Sequence, residues 1–329
     1  MKTIRFILLL FHLGILGLLL LTLLNSVVSP EVFPYLNLLS LAFPVLMILN
    51  VLLCLLWIIL WKKRAIFFLL FSLLFYNPVK RWINFSFPEK ETANFKVITL
   101  NVESGIRGED MIRKYMEEEK ANIIFFQESR FHVNLTLHID KFPNRAFCNI
   151  AEVQTNCKIL KQEVIFDNTF QGTSFYTDIE FKGKIIRVIN VYLSPFSFDK
   201  DKIKPAESLN KNEGKAKYVL RTLIPTFKIH QKEVVAIREA IDASPYPVIV
   251  AGDFNAVPNS YEYYTIGKNL TDAFVAVGRG SSTSFHDYKF PIRIDYIFTS
   301  KEIKPIRYRV DRSVKLSDHF PVIAEFKIN

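Results

Sequence analysis

The feature that limits this chain most is a split in hydropathy. Residues 1–88 are apolar almost throughout, whereas residues 89–329 have the mixed composition of a soluble domain. Ile4 to Leu24 holds some twenty residues with hardly any polarity, enough to cross a bilayer as a helix. Pro34 to Trp61 is a second such run, with Trp57 and Trp61 near its end, where indole rings favour the interface. Ala65 to Tyr76, extendable to Val79, is a third run and short for a span. A cleaved signal peptide would also place Lys2 and Arg5 ahead of an apolar run, but more apolar sequence follows and no small-residue cleavage site does. The expected organisation is a membrane anchor over residues 1–84, with spans near 4–24, 34–61 and 65–79. A polar linker over 85–94 and one large domain over 95–329 complete it.

Charge follows the same division. The net charge is +10, and six of those units lie in residues 1–88, where seven Lys and Arg face Glu31 alone. The basic balance therefore belongs to membrane flanks and argues little for nucleic-acid binding. Positive-inside bias puts Lys2, Arg5 and Lys62-Lys63-Arg64 in the cytoplasm and the loop around Glu31 outside. Three crossings of the inner (cytoplasmic) membrane then deliver the domain to the periplasmic or extracellular side; Lys80-Arg81 pulls the other way. His12 is the only ionisable residue inside a span and is expected to be tolerated there; no carboxylate path suggests transport. Cys148 and Cys157 can pair in an oxidising compartment or stay two thiols. No Cys/His spacing suggests zinc.

In the soluble part, Pro247 to Pro258 is the most informative stretch. Val248 to Ala251 reads as a strand covered on both faces, and Gly252 permits a close backbone approach. Asp253 and Asn255 then present an acid and an amide that would point the same way in extended geometry. Other predicted strands end similarly. Phe95–Leu100 runs into Asn101-Val102-Glu103, Asn122–Phe126 into Gln127-Glu128-Ser129, and Lys184–Leu193 carries Asn190 and Tyr192. Asp295 lies in the strand Arg293–Phe298, and Asp318-His319 opens the last strand, Val322–Ile328. Helices are expected over Asp110–Glu119, with Met111, Ile112, Tyr115 and Met116 inward, and over Lys217–Ala243, with Val234, Val235, Ile237 and Ile241 inward. His230 on the latter reads as structural. Tyr261–Ile266 should be a short helix, Lys158–Leu160 and Val164–Phe166 two strands, and residues 199–217 a long polar loop or lid.

Taken in order, Leu-Asn-Val-Glu, Gln-Glu-Ser, Gly-Asp-Phe-Asn, Ile-Asp-Tyr-Ile-Phe and Ser-Asp-His-Phe-Pro-Val resemble the endonuclease/exonuclease/phosphatase superfamily, the deoxyribonuclease-I-like fold. The likeness covers about residues 95–329, and the apolar front end resembles membrane-anchored bacterial members. It implies an α+β, four-layer α/β-β/α sandwich behind a bundle of two to three transmembrane helices, and phosphoester cleavage dependent on Mg²⁺ or Mn²⁺. Carried over by motif, Glu128 is the principal metal ligand, with Asn101 and Glu103 in the same site and Asp318 beside it. Asp253 would orient or activate water, Asn255 would bind a phosphate oxygen, and His319, held by Asp295, would act at the phosphate. Tyr192 stands where many members carry His; its hydroxyl would still hold a phosphate or leaving oxygen, or its presence would mark altered or weakened chemistry. These residue types suit the reaction independently, since a hard cation prefers oxygen ligands and an acid-fixed imidazole supplies a localised proton. The implied partners are the lipid bilayer and a phosphoester, either nucleic acid or phospholipid; no protein partner is evident. The alternatives are a phosphate-binding module with reduced catalysis and a purely structural membrane protein.

Overall fold

The computed structural model describes residues 2–60, 63–129, 137–168, 171–196, 209–287 and 291–329. Trp61, Lys62 and residues 199–208 of the expected polar loop lie outside them. The N-terminal region forms α1 (Lys2–Leu23), α2 (Tyr35–Ile59), α3 (Arg64–Ser72), a 3₁₀ turn at Leu73–Phe75 and α4 (Tyr76–Lys80). By length and composition α1 and α2 are able to cross a membrane. The third apolar run is a broken helix that brings the chain back to the large domain, where Arg81 donates to Asn259 Oδ1 (2.8 Å) and to the Tyr264 hydroxyl (2.6 Å).

The bundle packs through Leu19, Phe43, Trp57, Phe68 and Phe75. A polar line also crosses it. Trp57 Nε1–H donates to His12 Nδ1 (2.9 Å), which leaves the other ring nitrogen, 3.1 Å from Asn50 Oδ1, as the donor. Asn50 in turn donates to Ser72 Oγ at 2.8 Å. His12, fully buried, is thus a strut between helices, more than a tolerated residue.

The strands are β1 (Ile83–Phe85), β2 (Phe95–Asn101), β3 (Ile123–Gln127), β4 (Asn144–Cys148), β5 (Ala151–Thr155), β6 (Lys158–Asp167), β7 (Thr173–Phe181), β8 (Lys184–Tyr192), β9 (Val248–Asp253), β10 (Thr271–Asp272), β11 (Arg279–Ser281), β12 (Asp295–Thr299), β13 (Ile303–Val310) and β14 (Val322–Ile328). With them go helices α5 (Glu109–Glu119), α6 (Leu209–Asp242), α7 (Tyr261–Gly267) and α8 (Ala273–Val277). One six-stranded sheet has the order β10-β12-β9-β8-β7-β6, the other β13-β14-β2-β3-β5-β4. Each contains one parallel pair, β8–β9 and β2–β3. A parallel pair needs a crossover, and here α6 and α5 supply it, so the helices cover the outer faces of two stacked sheets.

Alternation along the strands sorts the side chains into layers. Phe95 and Val97, Ile123 and Phe125, Ile186 and Val188, and Ile249 and Ala251 fill the space between the sheets. Their out-of-phase neighbours Ile98, Leu100, Ile124 and Phe126 pack on Ile112 and Met116 of α5. Val248, Val250, Ile189 and Val191 pack on Val234, Ile237 and Ile241 of α6. The expected sandwich is therefore present, with local differences. Met111 and Val235 are exposed, at 53% and 39%; each lies just off the inward arc of its helix. The helix α6 starts at Leu209, so residues 209–217 are helical, not loop. The two short strands expected near 160 are one, β6, with its register shifted twice. Phe85, expected to open the linker, pairs with Arg279 in the β1–β11 ribbon. Cys148 and Cys157 are separate buried thiols.

Arg293, fully buried, makes a two-pronged bond to Asp272 (2.8 and 2.7 Å) and a further one to the Arg81 carbonyl (3.2 Å), tying the N-terminal region to β10 and α8. Asp272→Ala strands that guanidinium, and the expected loss is about 3–5 kcal/mol, read from the urea midpoint of the full chain in nanodiscs.

Candidate active site

The inter-sheet face that holds the hydrophobic core turns polar at one end, strand by strand. Asn101 continues the phase of Phe95 and Val97, Tyr192 that of Ile186 and Val188, Asp253 that of Ile249 and Ala251, and Asp295 that of Ile297. A first polar layer closes the core: Gln127 donates to Asn190 Oδ1 (2.7 Å), and Asn190 donates to the carbonyls of Phe126 (3.0 Å) and Glu152 (2.9 Å), so Asn190 joins the two sheets. Beyond it lie the carboxyl ends of both parallel pairs, facing each other. Such ends, with their loops, are where open spaces form in α/β proteins.

Backbone geometry at these ends is unusual. Gly252 has φ of 146°, and a Cβ there would sit 1.9 Å from the Val191 carbonyl oxygen, so only glycine lets β9 lie against β8 at this point. Glu103, Ser104, Glu128 and Asn255 all have left-handed φ, from 45° to 56°. Non-glycine residues adopt it at a cost, and its concentration at one place marks a site that the surroundings hold in shape. Asn255 is therefore not in extended phase with Asp253. Instead its backbone N–H donates to Asp253 Oδ1 (2.8 Å) and its amide donates to the Leu193 carbonyl (2.9 Å).

Nine side chains were expected here; seven form one connected cluster, and Asn255 and Glu103 join it through backbone N–H groups. The Asn101 amide donates to Glu128 Oε1 (2.9 Å) and Asp253 Oδ2 (3.1 Å), bridging the two sheets. The Tyr192 hydroxyl, 1% exposed with its residue, donates to Glu128 Oε1 at 2.9 Å; contact with a phosphate would need it turned away. His319 Nδ1 lies 2.9 Å from Asp295 Oδ2, and Nε2 faces Asp253 (3.8 Å) and Asp318 (3.9 Å). Asn255 is fixed through Asp253 as above. Glu103 stands at the edge, paired with Arg107 at 3.2 Å. Ser317, quoted in the motif but given no role, holds the last turn: its hydroxyl donates to the Asn101 carbonyl (2.6 Å) and accepts from His319 N–H (2.9 Å). Ser284, which the sequence did not signal, accepts from the N–H groups of Ile294 (3.2 Å) and Asp295 (3.1 Å).

Electrostatics follow from this crowding. Burial raises the Asp253 carboxyl against the pull of His319, and Asp295 adds to the rise. Burial alone would lower the His319 imidazole; Asp295 and Asp253 outweigh it and hold it well above its ordinary value. Asp318 is pushed up to about 6, by burial first, with Glu103 and Glu128 adding to it and His319 opposing. Among the described residues, one group of acids and imidazole could hold a cation. Asp253, Asp295 and His319 offer ligand atoms within 4.8 Å of one another, all buried. Glu128, Asp318 and Glu103 bring further carboxylates to the site, and the charges of Glu103 and Glu128 both press on Asp318. The shared cavity, about 590 Å³, is lined by Asn101, Glu128, Asp253, Asn255, Asp318 and His319 at its polar end. Tyr192 and Asp295 lie behind these.

Two stacked sheets with facing strand-end acids and one imidazole define a phosphoester-hydrolase class of site. The chain belongs to the Endonuclease/Exonuclease/phosphatase family, whose profile matches residues 98–319. Residues 5–82 match a second profile, that of a domain of unknown function (DUF8431). No curated protein matches the chain. It is similar to the structure of D. rerio TDP2 complexed with single-strand DNA product (14% identity, TM-score 0.52, 71% of this chain and 98% of that one). It is also similar to a mannosyl-6-phosphatase of Bacteroides thetaiotaomicron VPI-5482 (15%, 0.50, 71% and 100%) and to the 3′ phosphatase NExo from Neisseria bound to product DNA hairpin (19%, 0.50, 71% and 100%). At these identities the likeness shows the fold.

Removing the acid that holds the imidazole should release it. Asp295→Asn is expected to lower the His319 pKa by about one to three units, measured by ¹⁵N histidine NMR of the full chain without added metal.

Proposed function

We propose that the chain is a membrane-anchored phosphoesterase, chiefly a phosphodiesterase, that depends on Mg²⁺ or Mn²⁺. The observation that carries this reading is the meeting of Glu128, Asp253, Asp318 and His319 at the polar end of one cavity. Glu128, with Asn101, Glu103 and Asp318, would hold the divalent ion, which when bound offsets charge on the phosphate and acidifies water. Asp253, with its basicity raised by burial, takes a proton from the attacking water. The His319 cation faces the phosphate and stabilises its developing charge or protonates the leaving oxygen, and Asp295 fixes its ring. Asn255 has a second amide N–H for a phosphate oxygen beyond the one given to Leu193. Tyr192 acts as a positioning residue that orients Glu128. Nucleic acid and phospholipid both supply such a diester; two of the similar structures were solved with DNA products, and the third is named for a sugar phosphate.

With bis-p-nitrophenyl phosphate and Mn²⁺, the full chain in nanodiscs should turn over, and EDTA should abolish this. Glu128→Ala and His319→Ala should each lower kcat by about 10²–10⁴; equal rates in all three proteins would reject the assignment. Tyr192→Phe should weaken the apparent metal affinity about 10- to 100-fold.

We place residues 1–84 in a membrane, followed by the enzyme domain. The loop between α1 and α2 touches the domain, where the Glu31 N–H donates to Gln231 (2.7 Å), while Arg64 packs on Trp57 at the other end of α2. With Lys2, Arg5 and Arg64 in the cytoplasm, the domain lies outside. Protease added to intact spheroplasts should degrade it, and full protection would overturn this placement.

A further inference from the structure

The cavity does not end at the acids. Its lining also takes in Val219, Leu223 and Phe227, spaced one turn apart along α6, with Val257 and Ile294. Leu41 and Asn37 of α2, one turn apart, line it too. An apolar passage leading from a phosphate-type site to a bilayer helix is not a shape that a nucleotide needs. Hydrogen bonds also fix where α2 stands. Asn37 donates to both carboxylate oxygens of buried Glu262 (3.0 and 2.9 Å) and accepts from the Tyr261 N–H (2.9 Å). The Asn259 carbonyl accepts from Ser40 (2.7 Å) and Asn25 (3.1 Å). The far side of Glu262 is held by His230 at 3.0 Å. Since His230 Nε2 is 2.6 Å from the Ser194 carbonyl, both ring nitrogens donate, and the ring is a cation. The membrane helix is therefore a permanent wall of the cavity.

We propose that this passage is a subsite for the apolar chain of a lipid phosphoester. The substrate would sit with its phosphate at Glu128, Asp253 and His319 and its hydrocarbon along α6 and α2. The proposal rests on the hydrolytic reading above and names its substrate class. Water attacks phosphorus, the bond from phosphorus to the leaving oxygen breaks, the water proton passes to Asp253, and the leaving oxygen is protonated from His319 or solvent.

The test uses full chain in nanodiscs and p-nitrophenyl alkyl phosphodiesters with methyl, butyl, hexyl and octyl chains. Each buried methylene should raise kcat/KM up to about fourfold, from about 0.8 kcal/mol per CH₂, so the octyl-to-methyl ratio should exceed 30. Leu41→Trp and Leu223→Trp, which fill the passage, should cut that ratio at least tenfold. A ratio near one, with the methyl ester still hydrolysed, overturns the subsite and leaves the hydrolytic reading intact. Faster cleavage of a single-stranded oligonucleotide than of the octyl ester also overturns it. Binding gives an independent readout: calorimetry of methyl to octyl phosphonates on the His319→Ala chain, corrected for empty nanodiscs. Tighter binding with length that Leu41→Trp removes supports the subsite even if no ester turns over; binding independent of length overturns it.

Discussion

Two parallel strand pairs, set back to back, decide where everything else can go. Parallel neighbours cannot be joined by a tight turn, so β2–β3 and β8–β9 each send a helix over the outside of their sheet. Each crossover makes the two strands of its pair finish at one end, and the Asn101–Asp253 bond shows that the two pairs end together. The acids and amides after their last apolar residues are then within reach of one another. Asn101 spans the gap, with one hydrogen-bonded acid on its own sheet and the other on the facing sheet.

Holding several carboxylates in a desolvated space costs free energy unless something positive shares it. Here His319 supplies part of that charge within the protein, between Asp253, Asp295 and Asp318. Among the described residues, no basic side chain of that inner cluster bonds to Glu128. The left-handed backbone at Glu103, Ser104, Glu128 and Asn255 is the conformational cost of holding the set in place.

Much of this is legible in the order of residues, for definite reasons. Strand phase is a period of two, so Val97 and Asn101, or Ala251 and Asp253, declare a shared face through their spacing alone. Ordered motifs then tell which strand ends belong together. What stays hidden depends on contacts between distant segments. Asn25, Asn37 and Ser40 are visible as polar residues in apolar runs, yet only the folded chain shows that they bond to Asn259 and Glu262. Asn255 departs from simple alternation because its backbone turns left-handed one residue after Phe254. Val219, Leu223 and Phe227 fall within a helix that the sequence predicts, but helical spacing alone does not separate a cavity wall from a core face.

The contact between α2 and Asn259 has a bearing on how this protein can be handled. Asn259 lies only six residues beyond Asp253, on the same strand-end loop. Severing the hydrophobic leader to obtain a tidy water-soluble fragment would bare the Glu262 carboxylate and the Asn259 carbonyl, and cut away one side of the groove. Such a fragment would keep the motifs of a hydrolase while being a different catalyst, because the apolar N-terminal helices are masonry of the groove.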